Sequence, residues 1–368
     1  MDPHGPIAKR FPLVARFRPA CLPLPARVRA LVDLAGTAGA KGDQVLGSAV
    51  YNQAALVASD LGLPGLAREM CHQHADAYLD ACPLPGMSAI RGLEPIVNLA
   101  RLQIRAGHTD DGRQRLLDLY EAVDTGTAAQ FEGITVPANL TATAEDRQKV
   151  RAWLWRVLLA DGTRTLTATG RWAEALRHIE QHRGVGQRML DGRQVAVLAA
   201  MTTGHMERAE HLLAETTPGD PWEQAVTACL TALCHCAAKK LVKHQVSDLV
   251  SHYLGRGVEP GMNVFDARLG LTVLDVIGSA ENPAARRVVA ELHRRTTEAN
   301  DGHAARESLA HPLFTALASN RETQDCRELV LACALGAAAF PDELYDELHA
   351  ALHVSDRVIR DSVASFGQ

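Results

Sequence analysis

From Val28 onward, apolar residues return every three or four positions, and glycine, proline or asparagine interrupts them at short intervals. That periodicity predicts amphipathic helices joined by tight turns. Residues 51–60 read as one helix, Gly62 as a turn and 66–75 as the returning helix. The same order recurs at 93–106, Gly107 and 112–123. Beyond Pro221, helices are predicted over 222–239, 245–254, 264–279, 283–299, 304–318, 323–335 and 341–365. Alanine and leucine are abundant, β-branched runs are short, and aromatic residues make up only 4%. Ala and Leu lose little freedom in a helix, so the expected fold class is all-α.

Two stretches break the pattern. Residues 1–26 hold Pro3, Pro6, Pro12, Pro19, Pro23 and Pro25 among Lys9, Arg10, Arg16 and Arg18. No long helix can form there. The segment reads as an extended basic arm on the body or toward a partner, or equally as a loose tail. Residues 124–146 lack helical periodicity, and Thr141 to Asp146 resembles a helix-capping sequence. This reads as a loop insertion, either a flap over a groove or a plain surface loop.

The glycines order the rest. Gly170 and Gly204 are 34 residues apart, and each is followed two positions later by a large residue, Trp172 or Met206, and five later by Ala175 or Ala209. With Gly62 and Gly107 the spacings are 45, 63 and 34, so only the last pair has a regular period. Gly170, Trp172, Ala175 and Ile179, then Gly204, Ala209, Leu213 and Pro221, resemble the tetratricopeptide-repeat family. The resemblance is clearest over 150–221 and weaker over 45–123. Thr163 departs from it, standing where the family has a small residue. It implies stacked antiparallel helix hairpins in an α-solenoid, irregular in its N-terminal and C-terminal parts. The expected organisation is an arm at 1–26, a repeat region at 27–221 and a divergent helical continuation with a C-terminal cap at 222–368.

At 368 residues the chain exceeds what one core usually organises. Its 38 basic and 43 acidic residues give a net charge of −5, which argues against direct nucleic-acid binding. No apolar run approaches a membrane span; the best, 329–340, has the length of a buried helix. No secretion signal is recognisable, and the eight irregularly spaced cysteines suit free thiols. A soluble cytoplasmic protein is expected. The Ala- and Leu-rich C-terminal helices leave a homodimer open.

Candidate chemistry is thin. Cys71 and His74 would share a helix face while His72 points away, and Cys229, Cys234, His235 and Cys236 lack a CxxC pair. Both groups read as structural, so no metal and no cofactor is expected. His178 and His182 lie one turn apart without the glutamate placement of a zincin. No nucleophile elbow, phosphate loop or dinucleotide turn is present, and no catalytic residue is assigned.

The tetratricopeptide resemblance implies that the first helix of each hairpin lines a concave surface and holds peptides or small ligands. Carried over by offset from the glycines, it selects Asn52, Asn98, Arg101, Arg105, Asp161, Arg164, Asp191 and Gln194. Arginine and asparagine there can hold amides, carboxylates or phosphates. The expected function is a non-enzymatic adaptor or sensor for a peptide, protein segment or small anionic ligand. The competing expectation is an enzyme using Asp161, His178, His182 and the arginines of the same groove on a peptide or metabolite.

Overall fold

The computed structural model describes residues 1–365, and its chain is helical almost throughout. It divides into two compact units, one made of Met1–Pro23 and Leu166–Cys333, the other of Leu24–Thr165 with the segment from Ala334 onward. Both units are therefore discontinuous in sequence. This partition differs from a linear order of arm, repeat region and C-terminal continuation.

In the second unit, the helix Gln44–Asp60 turns at Gly62 into Pro64–Leu79, and Gly86–Arg105 turns at Gly107 into Thr109–Thr125. The turn glycines Gly62, Gly107, Gly170 and Gly204 all have positive φ, between 75° and 92°. Only glycine takes that conformation without strain, which is why the residue marks each turn in the sequence. Asp43 caps the first of these helices, accepting from the N–H groups of Val45 and Leu46. At Gly92 a Cβ would lie 2.9 Å from Tyr78 Cβ, so the absent side chain lets the two helices approach closely.

The helix Asp342–Ala364 returns to the start of the same unit and packs against Leu24–Lys41 and Gln44–Asp60. Leu348, Leu352 and Ile359 join Val28, Leu31 and Val50 in one buried core. A terminal cap on a linear stack would contact only the preceding repeat. Here the last helix instead completes the packing of the first.

Residues 124–146 are more ordered than a plain loop. Ala129–Phe131 and Ile134–Val136 pair as an antiparallel hairpin, and Phe131, Ile134, Val136 and Leu140 are buried in the core. Alternation of buried and exposed positions in Ile134–Val136 is the signature of a half-buried strand. The segment is too short for that alternation to stand out in the sequence.

In the first unit, Pro6–Arg10 is a short helix and the remainder of the arm runs without regular structure to Pro23. Phe11, Leu13 and Cys21 are buried. The body of the unit is helical, with Trp172, Val195, Leu198, Val226, Leu274, Val288 and Phe314 in its interior.

Two expectations for the C-terminal third need correction. The helix foreseen at 304–318 is two helices, Gly302–Leu309 and Pro312–Leu317, because Pro312 lacks an N–H and begins a new helix capped by His311. The apolar run 329–340 is not one buried helix. The helix Asn320–Ala332 ends there, followed by Ala334, Gly336 and Ala338 at positive φ. No helix among the described residues is long and apolar enough to cross a membrane.

Candidate functional site

Five of the eight residues selected from the sequence come together on the first helices of the unit Leu24–Thr165. Asn52 lies on Gln44–Asp60; Asn98, Arg101 and Arg105 lie on Gly86–Arg105; Asp161 lies in the turn Leu158–Gly162. Positions 98, 101 and 105 advance by three and four residues, which keeps them on one helix face. Glu94 extends that face by one more turn toward the N-terminus.

These side chains form one directed chain of hydrogen bonds. Arg101 Nη1 donates to Asn98 Oδ1 at 2.9 Å, Asn98 Nδ2 to Asn52 Oδ1 at 2.9 Å, and Asn52 Nδ2 to Glu94 Oε2 at 2.6 Å. At the other end, Arg101 Nε and Nη2 both donate to Asp161 Oδ2, at 3.1 and 2.7 Å. Every bond from Arg101 to Glu94 points the same way, so each polarises the next. Each carboxamide carries two N–H groups and uses one in this chain. The row thus holds its geometry while keeping donors to offer. Arg105 adds a second anchor, donating to Ser59 Oγ at 2.5 Å and lying 3.6 Å from Asp60 Oδ1.

Exposure separates the working edge from its support. The side chains of Arg101 and Arg105 are 48% and 46% exposed, whereas Asp60 is 4% exposed and braced by Arg27 at 2.9 Å. Glu94 is half-buried, and removal from water raises its carboxyl above the ordinary range, opposed by its bond from Asn52. Behind it lies His74, buried, with Nε2 2.9 Å from Ser48 Oγ and its ring stacked on Tyr51. Burial alone brings the His74 imidazole down to about 3, so it is neutral near pH 7.

A local irregularity places Asp161. Between Ala144–Val157 and Thr163–Ala168 the helix widens into a π turn, Leu158–Gly162. Such turns often occur at functional sites, since they re-aim side chains within a continuous helix. Thr163, the departure noted in the sequence, follows this turn. It is fully buried, and its hydroxyl has no hydrogen-bond partner among the described residues.

The remaining selected residues are placed differently. Arg164 is exposed, directly beyond the π turn. Asp191 and Gln194 belong to the other unit, where they hold the arm. Gln194 is fully buried; its Oε1 accepts from Leu13 N–H and its Nε2 donates to Leu13 C=O, both at 2.7 Å. Asp191 pairs with Arg16 at 3.1 Å. Trp172 Nε1 donates to Pro3 C=O at 3.2 Å, so the arm is seated on its own unit along much of its length.

The histidine and cysteine clusters are packed into the fold in part, with Cys236 exposed. His178 is buried with its ring centroid 4.6 Å from that of His182. Cys71 is buried, and removal from water pushes its thiol up to about 12. Glu94 and Ser48 were missed in the sequence although Glu94 stands four residues before Asn98 on the same face. The four-three-four spacing of Glu94, Asn98, Arg101 and Arg105 was the available signal.

Compared with known proteins, the chain matches no family model, no curated protein and no solved structure. The functional reading therefore rests on the geometry.

Proposed function

We propose that the protein is a non-enzymatic adaptor or sensor of tetratricopeptide-like architecture, and that the polar row Asn52–Asn98–Arg101–Arg105–Asp161 binds an extended peptide segment. The observation that supports this most strongly is the directed chain from Arg101 through Asn98 and Asn52 to Glu94, with Asp161 accepting from the other side of Arg101. It fixes two carboxamides and an arginine relative to one another on two helices of one unit. Carboxamides match backbone amides in both donor and acceptor, and an arginine fork matches a carboxylate. Because Asp161 already occupies Arg101, an acidic group on the ligand would compete with that carboxylate. Small anions alone then gain less than a peptide that engages the carboxamides as well.

Selection of a displayed random-peptide library on the full chain tests the reading. Sequences retained by the native protein and lost with Arg101→Ala plus Arg105→Ala are expected. Recovery of the same sequences by both proteins would count against the row as the binding surface.

A further inference from the structure

The unit Leu166–Cys333 carries an open cleft of about 430 Å³ between the loop after Met206–Ala214 and the helices Pro221–Ala237 and Lys243–Gly255. That volume lies within the range of small-molecule sites. Ala228, Ala232 and Leu249 give it an apolar floor. Its polar lining is unusual in which atoms remain on offer.

The hydroxyl hydrogens of Thr216, Thr217 and Thr227 are committed elsewhere, while Thr231 is the fourth threonine of the lining. Thr216 donates to Leu212 C=O at 2.8 Å, Thr227 to Glu223 C=O at 2.8 Å and Thr217 to Gln187 Oε1 at 3.4 Å. A hydroxyl that has donated retains lone pairs, and those are what these threonines have left, one on Thr216 being taken by Arg193 Nε at 3.3 Å. Gln224 uses one N–H of Nε2 on Gly219 C=O at 2.9 Å, which leaves Oε1 as an acceptor and the second N–H as a donor. His252 Nδ1 is 2.8 Å from Asp248 C=O. A carbonyl can only accept, so Nδ1 carries the hydrogen and a neutral ring keeps Nε2 as an acceptor. Gln245 offers a donor: its Oε1 takes Val242 N–H at 3.4 Å and lies 3.2 Å from His235 Nδ1, leaving its NH2 unspent. Asp248 completes the lining, exposed, with no ion-pair partner among the described residues. The nearby cation Lys240 is engaged by Glu210 at 2.7 Å.

We propose that this cleft binds an alkylguanidinium or alkylammonium group, with its head on Asp248 and the surrounding acceptors and its stem on Ala228, Ala232 and Leu249. A lining richer in lone pairs than in donors, with the Asp248 carboxylate, disfavours phosphate and carboxylate ligands and suits a polyvalent cationic donor. The head group has two sources of identical chemistry, a free small molecule or an arginine or lysine side chain on a partner. This site does not depend on the peptide-binding reading of the polar row.

Calorimetric titration of the full chain with agmatine, and separately with a blocked tripeptide bearing a central arginine, tests the proposal. Saturable binding of at least one is expected, and which one binds more tightly identifies the source. Asp248→Asn is expected to weaken it about tenfold or more, the equivalent of ~1.4 kcal/mol. Ala228→Gln, which fills the floor from an exposed helix position, should weaken it comparably. Asp191→Asn, at a residue that serves the arm, should leave agmatine binding unchanged. Failure of both probes to bind, equal binding by Asp248→Asn, or saturable binding of inorganic phosphate in their place would overturn the proposal.

Discussion

His74 contributes an acid sensitivity to the unit that carries the polar row. Its ring is wholly enclosed, bonded to Ser48 and stacked on Tyr51, and burial holds its titration near 3, against an ordinary value of 6.5. Between those limits the unfolded chain takes up a proton that the folded one refuses. Stability is therefore fully present above the unfolded value and is lost as the pH falls toward the folded one, by about 1.4 kcal/mol per pH unit. Urea midpoints from pH 7 to pH 4 should show this decline in the native protein. His74→Phe keeps a ring against Tyr51 without a titrating group, so a flatter profile is expected; an identical slope in both proteins would place the sensitivity elsewhere. Glu94 shows what sequence can reveal at this scale. Its position on the Asn98–Arg105 face is set by helical spacing alone, but its bond to Asn52 depends on the packing of two helices 42 residues apart. Gln194 shows the opposite case. Offset from a glycine selects it as a ligand contact, yet the fold gives its carboxamide to Leu13 of the same chain.

Among the helices, the ones bounded by glycine turns are the most legible, because a φ of 75° to 92° favours glycine whatever packs around it. The hairpin at 129–136 and the split at Pro312 are less so. The first is too brief to show its alternation, and the second joins two helices whose apolar spacing runs on across the break. The π turn Leu158–Gly162 has no sequence signature of its own. It brings Asp161 onto Arg101 and leaves Thr163 buried with its hydroxyl unsatisfied. Losing a hydrogen-bonding group that has no partner removes a desolvation penalty of about 1–3 kcal/mol. Thr163→Val keeps the shape, and it is expected to raise stability by ~1 kcal/mol in urea denaturation. Destabilisation of similar size would mean that the hydroxyl has a partner after all.

For the whole chain, the consequential feature is the return of Asp342–Ala364 to the first helices of its unit. No local pattern could announce it, since amphipathic spacing says that a helix has a buried face without saying against what. Leu348, Leu352 and Ile359 are each nearly inaccessible in the core they share with Val28 and Leu31. Burying each such side chain stabilises by about 1.5–3 kcal/mol. The three on this helix together contribute about 4.5–9 kcal/mol, comparable with the roughly 5–15 kcal/mol net stability of a domain. Ending the chain after Cys333 should therefore abolish the cooperative unfolding of the unit Leu24–Thr165. In a linear stack the loss of a terminal helix would merely fray the end. A truncated chain that retains the same helical signal and melting transition would contradict this closed arrangement.

The central claim concerns where the ligand lies, and calorimetry of a library-selected peptide against three proteins tests it most directly. Native chain and Asp191→Asn should bind alike, because Asp191 serves the arm. Arg101→Ala plus Arg105→Ala should lose at least about tenfold in affinity, ~1.4 kcal/mol, with unchanged helical content. Undiminished binding by the double variant, or a comparable loss in Asp191→Asn, would contradict the assignment of the polar row as the binding surface.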